Sequence, residues 1–259
     1  MLYEDQAAGF DERVAIPTEA AESMAVALAR IADLRQGDTL LEIGPGTGML
    51  SLHLIEKPIR YIGFDLSPAM LAVFREKVEK AQLNAGLLVA DANGRWPVED
   101  GSVAAIFSAR ALHHVEVNHA VVETRRVLNS EGGWLVLGMV RRPDDSVQPT
   151  FRRQMRKILE EEGYSGRSHD THTEALFSAL EAIGGERVEP RVVARWTRRQ
   201  APHDWFKAWQ GKKGLAGHDI PFEEEARMIA QVGGRDIWLA VCRDSEGNLI
   251  GLMSEQPSA

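Results

Sequence analysis

The chain of 259 residues holds one cysteine, Cys242, which excludes an internal disulfide framework, a cysteine-rich zinc site and an iron–sulfur cluster held by several thiolates. A reducing, cytoplasmic setting is the expectation. Long apolar runs are also missing: none approaches the ~20 residues that span a bilayer. The opening MLYEDQAAGFDER is acidic and polar where an export signal is basic and then apolar. Basic residues are outnumbered, 30 against 38 acidic ones, and the formal charge of −8 repels nucleic acid and anionic lipid alike. No internal repeat, heptad run or low-complexity tract is present. What remains has the composition of a globular domain, 44% hydrophobic and 26% charged, long enough to bury a large core. The charge is uneven. Residues 141–213 carry 15 basic against 11 acidic side chains, while the rest of the chain is net negative. Such a segment suits an anionic substrate or simply a solvated surface.

Hydrophobic periodicity alternates along the first half. A helical pattern over 18–34, with Thr18 as its N-cap, gives way to a short apolar run, Thr39–Ile43, closed by Gly44-Pro45-Gly46-Thr47-Gly48 and followed by a helical stretch over 49–56. Ile59–Phe64 ends at Asp65, and Ser67-Pro68 then starts a helix that runs to Ala81. Leu87–Ala90, Val103–Phe107 and Trp134–Val140 read as further strands, with a helix near 118–128. This order predicts a parallel sheet with helices on both faces. Beyond 140, helices are expected near 150–162, 172–184, 202–212 and 221–232. A strand over 187–198 is expected to pair with one over 236–242, antiparallel at the sheet edge. The expected divisions are an N-terminal lid helix over 1–37, a ligand-binding core over 38–140, the rest of the sheet with helical caps over 141–243, and a frayed tail over 244–259.

The glycine loop is the most informative stretch. Between a strand and a helix it lets backbone approach a ligand and aims helix N–H groups at it. Taken alone, a tight strand-to-helix turn explains it equally well. The dinucleotide fingerprint asks for a small third residue where Met49 stands, which weakens an NAD reading. Asp65, at the end of the second strand and 21 residues after Gly44, is placed to accept hydrogen bonds from a ribose diol, and Asp91 ends the third strand on the same edge. Each is also an ordinary strand-end turn residue; together, after such a loop, they favour a nucleoside ligand.

On LEIGPGTG at 41–48, FDLSPAML at 64–71, VADA at 89–92, FSARALHHV at 107–115 and RVLNSEGGWLVLG at 126–138, the chain resembles the class I S-adenosylmethionine-dependent methyltransferases, in particular the small-molecule group typified by ubiquinone and menaquinone biosynthesis. The resemblance implies a Rossmann-like three-layer α/β sandwich, with a seven-stranded, mainly parallel sheet whose last strand is antiparallel, plus helical lid insertions. It implies S-adenosylmethionine as cofactor and S-adenosylhomocysteine as product. Gly44, Gly46 and Gly48 would line the methionine part, with Glu42 orienting the loop or reaching the amino group. Asp65 would hold the ribose, Leu66 and Met70 would pack on the adenine, and Asp91 with the Ala92 amide would read its edge. Ser108, Ala109 and Arg110, placed just past the fourth strand, would face the methionine moiety or the acceptor. Where relatives carry Tyr-Asp near the start, this chain has Phe10-Asp11, leaving Tyr3, Phe10 and Arg13 as lid residues.

Methyl transfer from a sulfonium needs positioning and desolvation, with a base only where the acceptor must lose a proton. His113 and His114 are the candidate bases, with packing at a helix start as the alternative. His169-Asp170-Thr171-His172 reads as a helix N-terminus, with a metal pair or a base as alternatives; no metal is expected. Arg13, Arg141, Trp205 and Trp209 are candidate acceptor contacts, and a solvated arginine or a packed helical cap explains them as well. The expected partner is a small-molecule methyl acceptor, with no membrane and no nucleic acid, on a monomer or a homodimer. The alternatives are an RNA or protein methyltransferase on the same fold, a non-catalytic S-adenosylmethionine-binding protein, and an NAD-dependent oxidoreductase.

Overall fold

A computed structural model describes residues 7, 9–129, 132–141, 161, 163, 169–197, 237–243 and 249–255. The chain divides into two compact units, one of residues 1–139 with 168–196 and one of 140–167 with 197–259. The first holds a sheet of five strands, β1 (Thr39–Ile43), β2 (Arg60–Asp65), β3 (Gly86–Val89), β4 (Ala105–Ala109) and β5 (Trp134–Gly138), in the order β3-β2-β1-β4-β5. All pairings are parallel.

Side chains alternate across the central strand and define two cores. On one face Leu40 and Tyr61 pack with Ala25 and Leu28 of α2 (Thr18–Ile31), Leu54 and Ile55 of α3 (Leu52–Ile55), and Leu71 and Phe74 of α4 (Pro68–Lys80). On the other, Leu41, Ile43 and Ile106 pack with Ala120 and Val121 of α5 (Val117–Val127) and Leu176 of α6 (His169–Ala182). The expected helix–sheet–helix layering is therefore present. A further helix, α1 (Phe10–Val14), precedes these elements.

Several local expectations change. Thr18 is the first residue of α2 and Pro17 occupies its N-cap, so no side-chain cap forms. The stretch over 49–56 shortens to α3, because Met49 and Leu50 lie in a turn leaving Gly48. β4 lies two residues later than its apolar pattern suggests: Val103 is buried, but it makes only an isolated bridge to Leu128. Ser108 and Ala109 consequently belong to the strand rather than the loop after it.

The larger correction concerns the sheet edge. Residues 185–197 form no strand and are mostly exposed; Pro190 within them lacks the N–H that a ladder requires. In the second unit, β6 (Ile237–Arg243) pairs antiparallel with β7 (Leu249–Glu255), a segment expected to be frayed tail. Among the described residues the main sheet has five parallel strands, and neither a seventh strand nor an antiparallel last strand is part of it. The helices expected near 150–162, 202–212 and 221–232 lie outside the described residues, apart from Glu161.

Candidate functional site

In an open parallel sheet, ligands bind beyond the carboxyl ends of the strands, where successive connections leave in opposite directions. Here that point is between β1 and β4, and the loop leaving β1 is Gly44–Gly48. All three of its glycines have positive φ, at 70°, 58° and 72°. Their surroundings differ. A Cβ at Gly44 would lie 2.2 Å from the Ala111 Cβ, and one at Gly48 would lie 2.0 Å from the Phe74 ring. Those two glycines are required by packing within the protein. At Gly46 a Cβ would meet no heavy atom within 4 Å, so this is where the loop offers backbone to open space.

This contrast makes a split prediction. Gly48→Ala should lower the thermal stability of the ligand-free protein by about 2–5 kcal/mol, overpacking against Phe74 adding about 1–3 kcal/mol to the strain of its positive φ, about 1–2 kcal/mol. Gly46→Ala should cost only about 1–2 kcal/mol of backbone strain, yet weaken ligand binding more than Gly48→Ala does. Melting curves and ligand titrations of the two variants side by side check it.

Asp65 organises the loop from β2. Its Oδ2 accepts the Gly46 N–H at 2.9 Å and its Oδ1 accepts the Ser67 N–H at 2.9 Å. Ser67 in turn caps α4, accepting the Met70 N–H, with Pro68 at the first helical position as expected. Leu66 is 55% exposed beside this carboxylate, whereas Met70 is buried at 3%. Of the two residues expected to pack on an adenine, only Leu66 presents surface.

At the end of β3, Asp91 accepts the Asn93 N–H at 2.9 Å. The segment is pinned by Trp96, 1% exposed, whose indole N–H donates to the Ala92 carbonyl at 2.9 Å and whose backbone N–H donates to Glu123 Oε2 at 2.7 Å. Arg126 holds Glu123 below the usual carboxylate range and also donates to the Trp96 carbonyl. Asp91 and Ala92 are thus fixed at the edge by a buried tryptophan that the sequence reading did not single out.

Glu42 lies within β1, on the face that carries Leu40, and is 2% exposed. Its Oε2 accepts a 2.7 Å hydrogen bond from the Tyr61 hydroxyl of β2. Gly63, the register partner of Glu42, makes room: a Cβ there would lie 2.8 Å from the Tyr61 oxygen. Burial raises the Glu42 carboxyl to about 7, Tyr61 and Ser51 oppose the rise, and the Asp65 charge adds to it. The Ser51 hydroxyl is close enough to favour the carboxylate, but its geometry falls short of a hydrogen bond. Burial and the neighbouring Glu42 push the Tyr61 phenol well above its usual value. The Glu42 carboxyl group therefore works beneath the loop as a buried partner of Tyr61.

On the other side of the switch point, Ser108 is 2% exposed and its hydroxyl donates to the Ile43 carbonyl at 2.9 Å, tying β4 to the start of the glycine loop. Ala109 is half-buried. Arg110 follows with φ of 63°, its guanidinium 5.8 Å from the Phe10 ring centre. A cavity of about 20 Å³ opens at the ends of β4 and β5, lined by Ser108, Arg110, His113 and His172 with Leu137 and Leu176 among the apolar walls. That is room for about one water-sized group.

The two candidate histidines part company here. His113 lines the cavity, whereas His114 is exposed beside it, the two rings 3.9 Å apart. His172 joins from the first turn of α6, its Nε2 2.8 Å from the Val115 carbonyl. A carbonyl only accepts, so Nε2 carries the proton and Nδ1 is left as the basic nitrogen of the neutral ring. His169 begins α6, in keeping with a helix N-terminus. Among the described residues, no group of three or more His, Cys, Asp or Glu is placed to hold a metal, and no helix is long and apolar enough to cross a membrane.

Of the remaining acceptor candidates, only Arg141 has a described side chain. Arg141 is exposed. Arg13 is in α1, but its side chain, like Tyr3, Trp205 and Trp209, lies outside the described residues.

Residues 40–132 match the family described as a methyltransferase domain. An uncharacterised methyltransferase of Mycobacterium bovis is 32% identical over 120 residues, covering 46% of this chain and 44% of that protein. A demethylmenaquinone methyltransferase of Tropheryma whipplei is 28% identical over 134 residues, covering 51% of this chain and 54% of that protein. The chain thus spans about half the length of the curated relatives it matches. Among solved structures, YcgJ of Bacillus subtilis superposes with a TM-score of 0.54 at 19% identity, over 92% of this chain and 94% of that one, a likeness of fold.

Proposed function

We propose that this chain, which through residues 40–132 belongs to the class I S-adenosylmethionine-dependent methyltransferases, transfers a methyl group to a small-molecule acceptor. The observation that carries the proposal is the open face of the loop at Gly46, set between Asp65 and the β4 end with Asp91 on the same sheet edge. Its donor set fits the cofactor: a backbone-lined loop for the methionine part, Asp65 for the ribose hydroxyls, Leu66 beside it as an apolar surface, and Asp91 with Ala92 for the adenine edge. The bound cofactor supplies a methyl group activated on a sulfonium. The protein's share is then to hold the acceptor in line, to exclude water and, for an acceptor that must lose a proton, to take it.

The cavity at the β4 and β5 ends is the acceptor side of this reading. Its size admits one polar atom of the acceptor rather than the acceptor's whole body, and its polar lining includes Arg110, His113 and His172. With Nε2–H committed to Val115, His172 offers Nδ1 as the general base. Similarity to a demethylmenaquinone methyltransferase supports a small ring compound of the quinone type as the acceptor class.

Calorimetry with S-adenosylmethionine, S-adenosylhomocysteine and NAD⁺ in parallel tests the cofactor. Binding of the first two and not of NAD⁺ is expected, and binding of NAD⁺ alone overturns the assignment. Acceptors are then screened by release of S-adenosylhomocysteine from phenols, enols and amines. With an active acceptor, His172→Gln should lower turnover about 100-fold while leaving cofactor affinity unchanged. Unchanged turnover removes His172 from the chemistry.

A further inference from the structure

α1 has five residues, too few to hold a helix by propensity alone. Its C-cap, Ala15, sits at φ of 47°, where a side chain is disfavoured. Tertiary contacts must therefore hold it, and the described ones run to the two sides of the switch point. Phe10 lies under Arg110 at the end of β4. Asp11 reaches the glycine loop: its Oδ1 accepts from the Thr47 hydroxyl, and its Oδ2 is ion-paired with Lys77 of α4. Lys77 also donates to the Thr47 carbonyl at 2.8 Å.

The three groups close a ring in which Thr47, 1% exposed, is gripped at both its hydroxyl and its carbonyl. Thr47 stands between Gly46, whose N–H Asp65 holds, and Gly48, which packs on Phe74, so the grip from α1 adds a restraint from a third element. The Asp11 and Lys77 side chains are 37% and 28% exposed, so water and salt reach the pair.

Resting on the cofactor assignment above, we propose that Asp11 and Lys77 form an electrostatic latch that fastens α1 to the glycine loop and sets how long the cofactor resides there. Neither residue is catalytic. Both are positioning residues acting through Thr47, and opening of the latch lets α1 lift and the loop relax for product release. The latch links residues 66 apart in sequence.

The dissociation rate of S-adenosylhomocysteine tests this. In the wild-type protein the rate should rise several-fold from low to high salt, because the ion pair is reachable and the ligand carries no net charge. Asp11→Asn and Lys77→Met should each speed dissociation about tenfold and flatten the salt dependence, with ligand-free melting temperatures little changed. The double variant should be no faster than Lys77→Met alone, because that substitution already removes both the ion pair with Asp11 and the bond to the Thr47 carbonyl. Lys77→Arg keeps the charge and should retain most of the wild-type residence time. A wild-type rate indifferent to salt, together with unchanged rates in both single variants, overturns the latch while leaving the cofactor assignment intact. Failure of the wild-type protein to bind either sulfur nucleoside overturns the assignment and the latch together.

Discussion

Asp65→Ala should weaken S-adenosylmethionine binding by about 2–4 kcal/mol, a loss of roughly 30- to 1000-fold. Two effects add. The substitution removes the proposed acceptor for the ribose hydroxyls, each of which would make a charge-assisted hydrogen bond. It also releases the Gly46 N–H and the Ser67 N–H, which the same carboxylate now holds at 2.9 Å each. The loop then loses its inner anchor at the one glycine that faces open space. Asp65→Asn separates the effects, since its carbonyl oxygen still accepts from one of the two amides; an intermediate loss is expected. Calorimetry on folded variants reads both. Wild-type affinity in the alanine variant would sink the proposed ribose contact.

That much was legible because the carboxyl edge is punctuated in the sequence. Glycines, Pro45 and Ser67-Pro68 stop each strand and start each helix, so chain order alone brings Gly46, Asp65 and Asp91 to one rim. The reading erred where an apolar pattern outweighed the punctuation beside it. Val103 is apolar and buried like a strand residue, yet periodicity does not tell an isolated bridge from a ladder, and β4 came out two residues early. The run Arg187–Trp196 contains four valines or tryptophans among charges, which reads as an edge strand. Its Pro190 argued the other way. The pairing of β6 with β7 needed Leu249–Met253 to be taken as a strand, against the polar residues flanking it.

The site residues that were missed act through long-range pairs. Asp11 stands beside Phe10 and Arg13, both considered as lid residues, but its partners Thr47 and Lys77 come from different elements. Tyr61, the partner of Glu42, is a nearer miss. In parallel register Glu42 faces Gly63, and Tyr61 lies two residues before it on the same face. A tyrosine and a glutamate on one apolar face, next to a glycine, is a signal that strand pairing exposes and composition does not. Trp96 is a third case: a lone tryptophan in a polar connection, whose indole N–H needs a partner once buried.

The Glu42 pair gives the stability prediction of largest size. Its carboxyl is raised from an ordinary 4.5 to about 7 by burial, so the folded protein keeps a proton there that the unfolded chain gives up. Below pH ~4.5 both states are protonated and the stabilisation is fully present; it is lost as pH climbs through about 7. The difference corresponds to about 3 kcal/mol. Glu42→Gln keeps the shape and still accepts from Tyr61, but has no charge to bury. Its amide N–H₂ also finds a neighbour in the Ser51 hydroxyl, which makes no hydrogen bond in the wild-type protein. The variant should therefore match the wild-type protein near pH 4.5 and exceed it at pH 8 by up to about 3 kcal/mol. Denaturant unfolding across that range measures the divergence directly. Parallel pH profiles would mean that Glu42 is ionised in the folded protein at neutral pH, with the Tyr61 hydrogen bond and its surroundings offsetting the full cost of burial.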